Sequence, residues 1–163
     1  MKTKRIIFGS LLLLLALLAG TLIVMQTVGQ VSVDVRITPF NLVEEDPAPT
    51  LFKVKITVPA SSGYTTADID PATVRVEGLS MVPTPEDWEE DYKVTKTFFA
   101  FMVNGNQLYN IIWSKAAHMQ PLPGAKVSVD ITATGEFGDG TDFAGTCTVL
   151  FMTEHASPPP PPP

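Results

Sequence analysis

The sequence predicts an all-β chain, one antiparallel β-sandwich preceded by a single transmembrane helix. Residues 31–37 and 52–58 alternate apolar and polar side chains with the period of two that marks a half-buried strand. Residues 126–152 repeat that alternation on both sides of Asp139-Gly140. Residues 6–25 are uncharged throughout, and the roughly 120 residues after them suffice for one domain with one core.

The run IIFGSLLLLLALLAGTLIVM, residues 6–25, would span roughly 30 Å as a helix, the thickness of a bilayer's hydrocarbon core. A secretory signal has a shorter apolar region of about 7–15 residues before a small-residue cleavage site. Leu17-Leu18-Ala19 and Val28-Gly29-Gln30 fit such a site poorly. The expectation is an uncleaved signal anchor, with a removed signal peptide and a buried core helix as the alternatives. Lys2, Lys4 and Arg5 place the N-terminus in the cytoplasm by the positive-inside rule. The domains expected are a basic tail 1–5, the anchor 6–25, a linker 26–30, an extracellular sandwich 31–155 and a polyproline tail 156–163. A type IV pilin-like leader shares the basic tail and apolar helix, but here no Gly or Ala precedes Ile6 and no Glu opens the run.

Three of the 11 basic residues precede the apolar run and all 17 acidic residues follow it, so the remainder carries a formal charge of −9. That balance argues against nucleic acid, whose affinity comes from neutralising phosphates with Lys and Arg. Cys147 is the only cysteine, so no disulfide within the chain is possible and burial must hold the fold.

In the first strand Val31, Val33, Val35 and Ile37 share a face, and Pro39 ends it; Phe52, Val54, Ile56 and Val58 form the second, ended by Pro59. Residues 73–77 read as a short third strand before Gly78. The Pro-rich acidic stretch VPTPEDWEEDY reads as a loop or a single helical turn. TFFAFMV, residues 97–103, and YNIIW, residues 109–113, flank Asn104-Gly105, a hairpin signal because both residues tolerate positive φ. A helix from near Gln107 through Ala117 is the competing reading of that segment. Six prolines close the chain as a stiff polyproline II tail or a docking site for an aromatic groove.

For the last hairpin, a two-residue Asp139-Gly140 loop would set Phe137 against Asp142 and mix the faces. A three-residue loop, Asp139-Gly140-Thr141, pairs Phe137 with Phe143, Gly135 with Gly145, Ala133 with Cys147, Ile131 with Val149 and Val129 with Phe151. Gly140 is then expected in the left-handed region. Gly135 and Gly145 mark a bulge or a close backbone approach, and Cys147 is a small inward filler.

DIDPATVRVEG, residues 68–78, and TGEFGDGTDFAG, residues 134–145, resemble two segments of a recurring extracellular β-sandwich module of archaeal and bacterial surface proteins. The resemblance implies an immunoglobulin-like sandwich with no established catalytic role. Bacterial relatives carry an aspartate-rich stretch between the two segments that looks like a calcium loop. Here Glu86, Asp87, Glu89, Glu90 and Asp91 occupy that interval without alternating aspartates or glycine. They read as a solvated acidic loop, with a calcium site as the alternative.

An EF-hand-type loop starting at Asp139 would need oxygen ligands at its third, fifth and twelfth positions, which are Thr141, Phe143 and Leu150. His118 and His155 belong to no spaced ligand set and read as loop and tail. No phosphate loop, dinucleotide fingerprint or nucleophile elbow is present. Trp88, Tyr92, Tyr109 and Trp113 offer either core packing or an aromatic patch for glycan or protein. The expected function is a non-catalytic, membrane-anchored extracellular module, needing no cofactor, with a structural or binding role and an extracellular protein or glycan partner. A secreted adhesion or carbohydrate-binding module released by cleavage is the alternative, and an exported hydrolase using His118 the third reading.

Overall fold

The structure, a computed structural model, describes residues 29–44, 47–84 and 90–153. The expected anchor 6–25, the proline run, His155, Trp88, Glu86, Asp87 and Glu89 lie outside the described residues. Among the described residues no helix is long and apolar enough to cross a membrane.

Strands dominate, and they form two five-stranded sheets around one apolar core, the two-layer arrangement of a β-sandwich. The first alternating run is two strands rather than one. It divides at Val33 into β1 (Val31–Ser32) and β2 (Asp34–Thr38), and β3 (Asn41–Val43) follows. β2 pairs with β4 (Leu51–Thr57) in one sheet, whereas β1 and β3 pair in parallel with β10 (Asp142–Met152) in the other. The alternation survives the change of sheet: Val33, Val35 and Ile37 are buried while Asp34, Arg36 and Thr38 are exposed. One segment therefore stitches both sheets together along an open side of the sandwich.

β4 matches the second predicted strand, with Phe52, Val54 and Ile56 fully buried. Its other neighbour is β8 (Phe99–Asn104). β6 (Met81–Val82) and β7 (Tyr92–Val94) lie end to end along β8, opposite Val103 and Met102 and then Phe101 to Phe99. The acidic, Pro-rich stretch thus leaves from the middle of an edge.

The predicted third strand is cut down to β5 (Arg75–Val76). Pro71–Thr73 forms a 3-10 turn instead, started by Asp70, whose Oδ1 accepts from the Ala72 amide at 3.0 Å. After β5 the chain reverses at Glu77 and Gly78, with φ of 50° and 80°. Val76 and Leu79 bond across them in both directions, at 3.0 and 2.8 Å, the two-residue turn that needs positive φ at both central positions.

Between Asn104 and His118 the helical reading holds and the hairpin reading fails. Helix α1 (Gly105–His118) carries Leu108, Ile112 and Ala116 on its buried side, four residues apart, a helical spacing that a strand would split between faces. Asn104 acts as the N-cap, its Oδ1 accepting from the Gln107 amide at 3.0 Å, so the residue that signalled a turn starts a helix. A Cβ on Gly105 would collide with the Pro49 carbonyl, which accounts for glycine there. The helix bridges the two sheets, running from the end of β8 to β9 (Lys126–Glu136). His118, read as a loop residue, is its last residue.

The β9–β10 hairpin keeps the predicted faces but not the predicted partners. Phe143 stands opposite Gly135, Gly145 opposite Ala133, Cys147 opposite Ile131 and Val149 opposite Val129. The loop has three residues as expected, but they are Gly138, Asp139 and Gly140. Phe137 donates to the Thr141 carbonyl at 2.9 Å and Gly140 to the Phe137 carbonyl at 2.8 Å. Such a loop is a type I turn followed by a left-handed residue, so Gly140, at φ 83°, must come last rather than in the middle. Moving the loop by one residue moves each partner by two and leaves every side chain on its face. Gly135 lies beneath the Phe143 ring, and Gly145 admits the Val33 carbonyl, the close backbone approach that was one of the two expected reasons for glycine there. Cys147 points inward but is only half buried, because β10 has no register partner beside it between β1 and β3.

Candidate functional site

A cleft of about 640 Å³ lies at the end of the sandwich where the chain enters β1. Pairing across the chain builds it. Ile69 bridges Phe137, the Gly138 amide donates to the Asp68 carbonyl at 2.7 Å, and the Asp70 amide donates to the Glu136 carbonyl at 2.9 Å. The two segments that carry the family resemblance are therefore neighbours in space. Tyr64 stacks on Phe137, with centroids 4.1 Å apart and planes 8° from parallel, and Phe137 tilts against Phe143 at 5.2 Å.

Asp68, Asp70 and Asp139 face this cleft, and each already has protein donors. Asp139 Oδ1 accepts from the Thr141 amide at 2.9 Å, and its Oδ2 lies 2.8 Å from the Tyr64 hydroxyl. The Thr141 amide above all, then the Tyr64 and Thr141 hydroxyls, hold the Asp139 carboxyl below its ordinary value. Asp68 Oδ2 accepts from the Thr65 hydroxyl at 2.8 Å and the Thr65 amide at 2.7 Å. These bonds lower its pKa too, against slight burial and the charge of Asp139. The result is an open acidic cleft floored by an aromatic stack. Its carboxylates shape the turns that carry them.

Of the predicted acidic candidates, the two that are described, Glu90 and Asp91, do not line it. Glu90 and Asp91 are exposed just before β7, and Glu90 accepts from the Tyr92 hydroxyl, which with burial and Glu90's charge raises the Tyr92 pKa. Among the described residues no group of three or more His, Cys, Asp and Glu is disposed to hold a metal ion.

The described aromatics are not one patch either. Tyr92 stacks on Phe99 at 5.2 Å. Tyr109 packs on Phe151 at 5.9 Å and its hydroxyl donates to the carbonyls of Val43 and Glu44 at 3.2 and 3.0 Å. Trp113 is 46% exposed, with Nε1 3.4 Å from Glu44 Oε1. Tyr92 and Tyr109 thus follow the packing reading, whereas Trp113 keeps a large part of its ring in solvent.

His118 lines a second, shallow cleft of about 460 Å³ with Ser114, Lys115, Met119, Ser128 and Asp130. Its Nδ1 lies 2.6 Å from the Ser114 carbonyl, and Asp130 Oδ1 accepts from Thr148 at 2.9 Å. The histidine is therefore oriented by backbone rather than by a carboxylate, unlike the base of a hydrolase triad. Tyr64 and Glu77 are the structurally engaged residues that sequence reasoning passed over. Only the Glu-Gly pair at the end of residues 68–78 signalled a turn at Glu77, and no pattern marks Tyr64.

The chain shows no match to a protein-family model, to a curated protein or to a solved structure.

Proposed function

We propose that the chain is a non-catalytic surface module of immunoglobulin-like type, tethered by residues 6–25 and held outside the membrane. The observation that carries this reading is the uncharged run itself, preceded by Lys2, Lys4 and Arg5 and separated by five residues, 26–30, from β1, which begins at Val31. A linker that short holds the entry end of the sandwich close to the bilayer. The formal charge of −9 after the run suits an exposed domain with extracellular protein or glycan partners and disfavours nucleic acid. The resemblance of residues 68–78 and 134–145 to the surface module supports the fold family and the absence of chemistry.

Cell fractionation tests the proposal. The full chain should stay with membranes through a carbonate wash, and protease added to intact cells should degrade the sandwich while sparing the N-terminal segment. Protein in the medium with a new N-terminus between Thr21 and Val31 would establish the secreted form instead. Hydrolase activity lost on His118→Ala would overturn the non-catalytic reading.

A further inference from the structure

We propose that the sandwich is built to resist tension along its length, with the segment β1–β3 held on β10 as a shear clamp between the points where the chain enters and leaves. The direction of load rests on the tethered reading above; the geometry does not. β1 starts opposite Phe143, beside the hairpin turn, and β3 ends opposite Met152, the last residue of β10. Residue 29 and Thr153 therefore lie at opposite ends of the 11-residue β10, a strand of about 35 Å at its usual rise.

β1 and β3 both run parallel to β10. Opposed pulls on the entering chain and on the chain beyond Thr153 slide the two along each other instead of peeling them apart. The bonds from the Val33 amide to the Ala144 carbonyl, 2.9 Å, from the Leu150 amide to the Phe40 carbonyl, 2.8 Å, and from the Glu44 amide to the Met152 carbonyl, 3.0 Å, lie across that motion. They are loaded together, whereas a transverse pull breaks them in turn.

Two further features oppose sliding. β2, in the same segment, is laid along β4 by register pairs from Asp34 with Thr57 to Thr38 with Lys53, so the lap extends to the second sheet. Val33, Val35, Ile37 and Leu42 are buried, and the Val33 carbonyl is seated over Gly145, so the segment must lift out of the core before it moves. Forced unfolding follows the unfolding barrier rather than equilibrium stability, so such a clamp acts even in a domain of ordinary stability.

Optical tweezers on the full chain in a nanodisc test this, with DNA handles on introduced thiols in a Cys147→Ala background. Gly29→Cys with Glu154→Cys applies the end-to-end load. Gly29→Cys with Glu136→Cys pulls across β10 from the same end and peels β1. The end-to-end unfolding force should exceed the transverse one by about twofold or more at one loading rate, because the bonds share the load. Equal forces, or a weaker end-to-end geometry, overturn the proposal. Val33→Pro, which removes one clamp donor, should lower the end-to-end force selectively; should it fail to fold, the two attachment geometries still decide. A chain recovered from the medium would defeat the tether and leave these forces unchanged.

Discussion

Glu77 Oε1 lies 2.8 Å from Lys115 Nζ and 2.7 Å from the Thr132 amide, so one carboxylate oxygen joins the turn after β5 to helix α1 and strand β9. The residue holding this position has φ of 50°, in a region that costs a side chain with a Cβ about 1–2 kcal/mol. Asparagine or glycine would satisfy the turn at less strain. Glutamate is accounted for by what its side chain reaches.

Glu77→Ala keeps the strain and loses the bonds, leaving the Thr132 amide without its carboxylate partner. The expected loss is about 2 kcal/mol, the range for a charge-assisted bond to a partly buried group. Glu77→Gly loses the same bonds but relieves the turn, and should recover about 1 kcal/mol of that. Urea denaturation of the two variants measures the difference. Equal losses would show that the left-handed conformation carries no strain here.

Gly145→Ala should strike the junction of the two sheets. The new methyl would collide with the Val33 carbonyl and the Val33 and Val35 side chains. Backbone cannot yield as a side-chain tip does, so the segment β1–β2 must be displaced at a cost of about 2–3 kcal/mol. Hydrogen exchange should then accelerate at residues 33–38 before it does in β4 or β9. Uniform protection across the sandwich would show that the close approach is not holding the segment.

The strand pattern was legible because burial of one face forces alternation, and Val33, Val35 and Ile37 obey it on whichever sheet they join. The change of sheet at Val33 was not legible for the same reason, since both sheets bury the same side of the segment. At Asn104 two meanings of one residue competed, because Asn both tolerates turns and caps helices. The spacing of Leu108, Ile112 and Ala116 decides between them only once the buried positions are known. Register in the last hairpin was missed by two residues because Gly140 closes its loop instead of centring it. The cleft was the least legible part: Asp68 and Asp139 approach only through the pairing of Ile69 with Phe137, and composition draws the eye to Glu90 and Asp91 instead.

Acid should loosen the entry end of the sandwich first. Asp68 and Asp139 titrate below their ordinary value in the folded chain, because donors from Thr65, Thr141 and Tyr64 favour the carboxylates. A group with a depressed folded pKa contributes stability that is present above its unfolded pKa and lost as pH falls through the folded one. The contribution is therefore complete above about pH 4–5 and disappears at lower pH. Asp139→Asn should flatten the acid limb of a plot of melting temperature against pH. An unchanged acid limb would mean that these bonds do not distinguish folded from unfolded chain.

Cys147 makes the opposite case, a group kept neutral. Burial, with the charges of Asp130 and Glu77 behind it, pushes its thiol up to about 11 from an ordinary 9.0, opposed only by a backbone hydrogen bond. The raised pKa means that the folded chain holds the proton more tightly, so stability from this group is intact below pH 9.0 and declines as pH rises toward 11. Only the thiolate attacks an alkylating reagent. At pH 8 the thiolate fraction of folded protein is then about a hundredfold below that of unfolded protein, the ratio set by a two-unit difference. Iodoacetamide labelling in buffer should be slow and should accelerate by a large part of that factor in urea, less the lower nucleophilicity of the less basic thiolate. Labelling at the same rate in both conditions would mean that the opening beside β10, where neither β1 nor β3 has a register partner for Cys147, leaves the thiol in effect solvated.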